Sequence, residues 1–259
     1  MRIRFSILYS PYCTEALLTF LQLLTGTAEI FGTELALSQP YSFTGSKSSI
    51  YTYHGCTFTV TGKPSIDYVA EETPMTSYLN LHFALEALRS EASDTYSIGP
   101  RVLVVGPENA GKTSLVKLLA SYATRAGRQP VVVNLDPKEG MLTMPGTISA
   151  VALESILDVQ EGWGSSTTNG PSMVPTKLPL VYYYGYQEPD EQKELFKPLV
   201  TRLALAVMNR IEEDPEVKGA GCVIDTCGSV AVGKGGYDVI QHIVSEFSGM
   251  WMVSCFFAQ

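Results

Sequence analysis

The sequence predicts an α/β fold whose larger part is a parallel sheet, with a small antiparallel β-sandwich ahead of it. Three observations carry the prediction. From Arg101 onward, apolar runs of strand length alternate with amphipathic runs of helix length, the pattern of a parallel sheet covered on both faces. A glycine-rich loop joins the first strand and helix of that run with the spacing of a phosphate-binding turn, which makes this part a P-loop NTPase domain. Earlier, from Thr25 to about Val69, short aromatic and β-branched runs are punctuated by Gly, as in an antiparallel β module.

Residues 1–24 are set apart as an atypical N-terminal segment. MRIRFSILYSPYC and the TEALLTFLQLL after it outline an export signal only faintly, since Pro11, Glu15 and the lack of a small-residue cleavage site count against one. Polar residues also break it below the roughly 20 apolar residues of a membrane span, so no membrane association is expected. Residues 25–75 read as the β-sandwich domain through GTAEIFGTELAL, YSFTG, SSIYTYHG and CTFTVTG. A linking helix is expected over 76–98, where LNLHFALEALRSEA puts Leu79, Phe83, Leu85 and Leu88 at near-helical spacings.

Residues 99–248 then form the P-loop domain. RVLVVG is a buried strand, KTSLVKLLASYATRAG a helix ending at Gly127, and QPVVVNLDP a second buried strand. ISAVALESIL, after Pro145, reads either as a short strand and turn or as a helix start. GWGSSTTNGPSMVP is a polar loop, LPLVYYYG a strand, and EQKELFKPLVTRLALAVMNRIEE a long amphipathic helix interrupted by Pro198. GAGCVIDTCG is a third hydrophobic strand running into a loop, and 249–259 is an atypical tail.

A chain of 259 residues, 45% of them apolar and 17% charged, can bury a substantial core. Its net charge of -8 leaves no overall positive field to hold polyanions, so any RNA contact is local, weak or delivered through a partner. The five cysteines are an odd number at scattered spacings without a CxxC pair, which suits a reducing compartment better than a disulfide framework or a zinc site.

The chemistry concentrates at Gly106-Pro107-Glu108-Asn109-Ala110-Gly111-Lys112-Thr113, which meets G-x-x-x-x-G-K-[ST] at every fixed position between a strand and a helix. Gly106 and Gly111 let the backbone fold around phosphates, so that N–H groups converge as an anion nest aided by the helix dipole. Lys112 supplies a point charge to the β- and γ-phosphates, and the Thr113 hydroxyl coordinates Mg²⁺. Glu108, Asn109, Ala110 and Ser114 complete the predicted nucleotide-binding set.

Asp136 ends VVVNLD and Asp225 ends CVID, which brings both carboxylates to the sheet edge where ligands of open α/β folds bind. There a carboxylate holds Mg²⁺ or orients the attacking group; the alternative for each is a helix N-cap or a turn-forming Asp. No [NT]-K-x-D motif occurs, which favours ATP or an undiscriminating site over a guanine-specific one.

These residues resemble the eukaryotic polyribonucleotide 5'-hydroxyl kinase family, and within it the ATP-binding subunits of the fungal mRNA cleavage and polyadenylation factor IA. The resemblance rests on GTAEIFGTELA, YSFTGSKSSIY, YLNLHFALEALR, GPRVLVVGPENAGKTSL, VVVNLDPKEG, MPGTISA and GCVIDTCGSVAVGKGGYDVI, from about Leu24 to Phe247. It implies an N-terminal β-sandwich, a central P-loop domain and a small C-terminal domain, of which the first two are represented. It also implies that Lys47, matched by the Y-x-F-x-x-x-K-x-x-I-Y spacing, leans over the nucleotide; without the resemblance Lys47 reads as a solvated turn lysine. Both ends depart from the family pattern, as splice-boundary read-through in a gene model would produce. The expectation is an incomplete P-loop domain of low stability in which GMWMVSCFFAQ pairs with the sheet as a substitute strand.

The resemblance further implies nuclear localisation and partners among the other subunits of mRNA cleavage factor IA, including the scaffold subunit that binds the RNA polymerase II tail. Three functional readings follow. In the first, ATP and Mg²⁺ are held and support assembly of the pre-mRNA 3'-end cleavage and polyadenylation machinery. In the second, the chain is a polynucleotide 5'-hydroxyl kinase with Lys112 and Asp136 as catalytic residues and Thr113, Asp136 and Asp225 on the metal. Ser229 stands where active RNA kinases of the family carry a substrate-clamping Trp, which tilts the expectation away from transfer to RNA. A third reading takes Asp225-Thr226-Cys227-Gly228 as the γ-phosphate sensor of a GTPase-like switch, against which the missing guanine motif counts.

Overall fold

In the computed structural model the described residues are 2–6, 19–43, 47–62, 66–70, 72–154, 159–160, 179–231, 236–248 and 251–255. Those up to Leu79, with 159–160, form one unit, and the others from Asn80 onward form a second.

The first unit is antiparallel throughout its described strands. These are β1 (Arg2–Ser6), β2 (Thr19–Gly26), β3 (Glu29–Ile30), β4 (Thr33–Glu34), β5 (Pro40–Phe43), β6 (Lys47–Tyr51), β7 (Cys56–Thr61) and β8 (Ile66–Ala70). They make a sheet of order β4-β3-β6-β1-β8 and a second of order β5-β2-β7. Alternation decides which face is inside: on β7, Phe58 and Val60 pack inward while Thr57, Thr59 and Thr61 are exposed. Leu21, Leu23 and Phe43 of one sheet share a core with Ile30 and Ile50 of the other, which makes the pair a sandwich.

Two strands begin earlier than the expected start of this domain at residue 25. β2 straddles that boundary because the alternation starts before the glycine-punctuated text, with Leu21 and Leu23 buried and Phe20 and Leu24 exposed. β1 lies between β6 and β8, so residues 2–6 belong to the sandwich as well.

Helix α1 (Met75–Thr95) begins in the first unit and runs mostly in the second. Its buried face in the second unit is His82, Leu85, Arg89 and Ala92, whereas Phe83, expected on that face, is 60% exposed. The spacing 82, 85, 89, 92 is the better helical stripe; two of its members are polar and escape a search for apolar residues. Arg89 is buried, and its Nε donates to the Ala220 carbonyl at 3.1 Å.

The second unit continues with β9 (Arg101–Val105), α2 (Lys112–Arg125), β10 (Val131–Leu135), β11 (Thr147–Ala152) and β12 (Leu180–Tyr183). It ends with α3 (Lys193–Glu213), α4 (Pro215–Ala220), β13 (Cys222–Thr226), α5 (Gly236–Phe247) and β14 (Trp251–Ser254). The sheet order is β12-β11-β10-β13-β9-β14. Every residue of β10 and β13 is buried, which accounts for their largely apolar text, interrupted by Asn134 in the first and by Asp225 and Thr226 in the second.

The expected parallel sheet is mixed at one place. β10, β13, β9 and β14 pair in parallel, but β11 runs antiparallel to both β10 and β12. Only turns join β10 to β11, and a parallel return needs a longer crossover, usually a helix. The ISAVALESIL alternative thus resolves to a strand over Thr147–Ala152.

Pro198 does not interrupt its helix, and α3 is continuous over 21 residues. The proline lies in the second turn of the helix on an exposed position, and only the one backbone N–H it lacks is missing from the ladder. β14 pairs with β9, Trp251 opposite Val102, so the expected pairing of the last apolar run with the sheet is present. The loop segment 162–175 and Lys234 lie outside the described residues. Among the described residues no helix is long and apolar enough to cross a membrane.

Candidate functional site

β9 delivers the chain to the C-terminal edge of the sheet, and α2 leaves from it; the loop between them carries the phosphate-binding spacing. Its backbone has the curvature that spacing demands, with Asn109 at φ 58° and Gly111 at φ 82° in the left-handed region. A Cβ built on Gly111 meets nothing within 4 Å, so the loop encloses open space at the head of α2. Gly106 differs, because a Cβ there would lie 2.4 Å from the Cys255 carbonyl oxygen, and Cys255 N–H donates to the Val105 carbonyl at 2.8 Å.

Lys112 is buried and arches back over the loop, its Nζ donating to the Pro107 carbonyl at 2.9 Å. Thr113 Oγ1 donates to Asp225 Oδ2 at 2.6 Å. Asp225 lies within β13 with no exposed surface, and its second oxygen, Oδ1, has no hydrogen-bond partner among the described residues. Burial above all, with a smaller push from Asp136, raises this carboxyl to about 7 against the opposing effects of the Thr113 hydroxyl and Lys112.

Asp136 follows β10, whose parallel pairing with β13 sets the two carboxylates on adjacent strands. Burial likewise raises its pKa, with Glu139 adding to the effect and the Lys138 N–H and Lys112 opposing it. Asp136 Oδ1 accepts the Lys138 N–H at 3.0 Å, an Asx turn, so the turn-forming role weighed for this residue is present.

The geometry thus brings together 106–114, Asp136 and Asp225. Glu108 is exposed on the rim, where its Oε1 accepts from Lys138 Nζ at 3.0 Å, and Asn109 is exposed beside it. Ala110 and Ser114 are half-buried. Lys47 opens β6 in the other unit, and its side chain lies outside the described residues. Thr226 spends its hydroxyl on the Val104 carbonyl at 2.7 Å, an interstrand bond that does not suit a phosphate sensor.

Sequence reasoning passed over Asn134 and Lys138. Asn134 is fully buried in β10, and a lone amide inside VVVNL was the available signal, because a buried polar group demands partners. Lys138 left no signal, since its partner is 30 residues away.

The arrangement fits a nucleotide with a hard divalent ion. The open cradle at Gly111 suits phosphate, and the carboxylate of Asp225, bonded through one oxygen to the Thr113 hydroxyl, has the oxygen-donor chemistry that a hard cation takes. Among the described residues no group of three or more His, Cys, Asp or Glu could hold a metal by itself. An ion there would complete its shell with phosphate and water oxygens, which is the habit of Mg²⁺.

Comparison with known proteins agrees with this geometry. The family model of the mRNA cleavage and polyadenylation factor CLP1 P-loop matches residues 106–253, and that of the N-terminal β-sandwich domain of polyadenylation factor matches 15–92. The mRNA cleavage and polyadenylation factor clp1 of Botryotinia fuckeliana is 61% identical over 227 residues, covering 88% of this chain and 49% of that protein. Its counterpart in Phaeosphaeria nodorum is 58% identical over 231 residues, with 88% and 49% covered. The chain therefore spans about half the length of these relatives. A solved structure of a wild-type Clp1p–Pcf11p (454–563) complex superposes with a TM-score of 0.86 at 31% identity, covering 99% of this chain and 59% of that one. A second, on an extended Pcf11p–Clp1p interface and the structural basis for ATP loss in a glycine-to-arginine point mutant, gives 0.85 at 30% identity, with 98% and 58% covered. With its sandwich and its P-loop domain both matched, this chain belongs to the CLP1 family of mRNA cleavage and polyadenylation factors.

Proposed function

We propose that this chain binds ATP with Mg²⁺ and that the bound nucleotide supports assembly of the nuclear pre-mRNA 3'-end cleavage and polyadenylation machinery. The observation that carries the proposal is the Thr113–Asp225 pair at the head of α2, with one carboxylate oxygen still unpartnered beside an open phosphate cradle. In this reading the backbone of 106–111 and Ser114 surround the phosphates, and Lys112 neutralises them. Thr113, Asp136 and Asp225 hold the ion, and Lys47 is the further nucleotide-binding residue that the family resemblance implies. When bound, Mg²⁺ supplies positive charge that offsets the phosphates and the buried carboxylates. The partners are other subunits of cleavage factor IA, including the scaffold that binds the RNA polymerase II tail; the superposed complexes, which pair Clp1p with Pcf11p, support this. RNA contact is weak or indirect, in keeping with the net charge of -8.

The test is nucleotide retention and subunit capture. ATP should co-purify with the chain in Mg²⁺ and be lost in Lys112→Ala, and capture of the scaffold subunit should fall with it. Unchanged nucleotide content in Lys112→Ala would remove the basis of the proposal.

One observation favours a second reading, a polynucleotide 5'-hydroxyl kinase. The raised pKa of Asp136 suits a group that accepts a proton from an attacking 5'-hydroxyl. Ser229, in place of an aromatic clamp, argues the other way. Transfer of label from γ-labelled ATP to a 5'-hydroxyl RNA, abolished in Lys112→Ala, would establish the kinase; ATP retained without transfer would leave the assembly role alone.

A further inference from the structure

We infer that Lys138 is a positioning residue: it ties the turn that carries Asp136 to the P-loop, so that this carboxylate is set relative to the phosphates by the loop that holds them. The inference rests on the reading of Asp136 as a group directed at Mg²⁺.

The turn after β10 is pinned from both sides. From the strand side, buried Asn134 uses both ends of its amide: Oδ1 accepts the Asp136 N–H at 3.0 Å, and Nδ2 donates to the Glu139 carbonyl at 3.1 Å. Within that ring the Lys138 N–H donates to Asp136 Oδ1 at 3.0 Å. From the P-loop side, Lys138 Nζ donates to Glu108 Oε1 at 3.0 Å. One residue therefore grips the Asp136 carboxylate with its backbone and the P-loop with its side chain.

Glu108 is itself restrained. A Cβ added to Gly228 would lie 2.6 Å from the Glu108 Cα, so the loop after β13 packs directly on this part of the P-loop. Three loops, following β9, β10 and β13, thus meet at Glu108. The ion pair is between half-exposed side chains, 46% and 48% exposed, and such pairs add little to stability. Its consequence lies in geometry: the pair favours one placement of the Asp136 turn against the P-loop.

A direct phosphate contact by Lys138 is the competing role, and one titration separates the two. ATP affinity is measured by calorimetry with Mg²⁺ and again with EDTA for the wild type, Lys138→Met, Lys138→Arg and Lys138→Met combined with Glu108→Gln. Loss of a residue that orients a metal-directed group typically costs about tenfold or more in metal-dependent binding. Lys138→Met should show that loss in Mg²⁺ and none in EDTA. Lys138→Arg should restore most of it, and the double variant should bind no more weakly than Lys138→Met, because both changes break one tether. Equal loss with and without Mg²⁺ would make Lys138 a phosphate ligand and overturn the inference, as would no loss at all. A wild-type protein whose ATP affinity ignores Mg²⁺ would instead strike the underlying metal reading, before any variant is compared.

Discussion

In the sandwich, β7 half-buries every second residue and turns its threonines to water, whereas in the P-loop unit β10 and β13 bury every residue, polar ones included. The first arrangement asks for apolar side chains on one face only. The second covers both faces and still places Asn134 and Asp225 inside, with Lys112 and Asp136 buried nearby. Burying such groups is costly unless each has a partner, so a core that tolerates them signals chemistry. The difference is one between strands, since the sandwich also buries Glu29 and Thr52; what sets β10 and β13 apart is that their buried polar groups lie beside the phosphate-binding loop.

Burial of a carboxyl inside β13 makes stability depend on pH. The Asp225 pKa in the fold, about 7, lies above its ordinary 3.8, so the folded chain keeps a proton that the unfolded chain releases. Stability from this group is therefore full below pH 3.8 and falls as pH rises toward about 7, by on the order of 4 kcal/mol in all. Urea melts of ligand-free protein should lose stability across this window, and Asp225→Asn should flatten the loss. An unchanged slope in the variant would mean that the buried carboxylate is not the cause.

Next in size is the charge at the loop. Lys112→Ala removes charge-assisted contacts and should weaken ATP binding by about 100-fold, read by calorimetry. Third comes the two-sided burial itself. Val132→Ala and Val133→Ala point to opposite faces of β10, yet each should cost about 2 kcal/mol of stability in denaturant melts, because neither face is open. The smallest effect is expected in the sandwich, where Thr59→Ala on the exposed face of β7 should change stability by less than about 0.5 kcal/mol. A large loss at Thr59, or a clear inequality between Val132 and Val133, would erase the contrast.

Legibility from sequence followed the same divide. The P-loop and its flanking strand and helix could be read because consensus spacing and apolar runs are local signals. The reversed direction of β11 could not be read from its own residues; it depends on the 136–146 connection lacking a helix. Arg89 and His82 went unread because a polar side chain on a helix is ordinarily assigned to water, and the partners that let the Arg89 guanidinium be buried include the Ala220 carbonyl, 131 residues away in the chain, besides Glu86 on its own helix. Asp136 and Asp225 were legible as strand-end acids, but the unpartnered oxygen of Asp225 and the tether of Lys138 to Glu108 arise from contacts between distant segments.

The wall that Cys255 raises beside Gly106 changes how a mutational scan of the loop should be interpreted. Any side chain at 106 collides with the backbone beyond β14, so poor tolerance there reports on how closely the edge strand is seated, even if no ligand is ever added. Gly111 has no such neighbour, and its substitutions project into the cradle itself. Both positions strain the backbone when substituted, but only at 106 does the cost include a collision, so its size should fall when the contact of Cys255 with the loop is loosened.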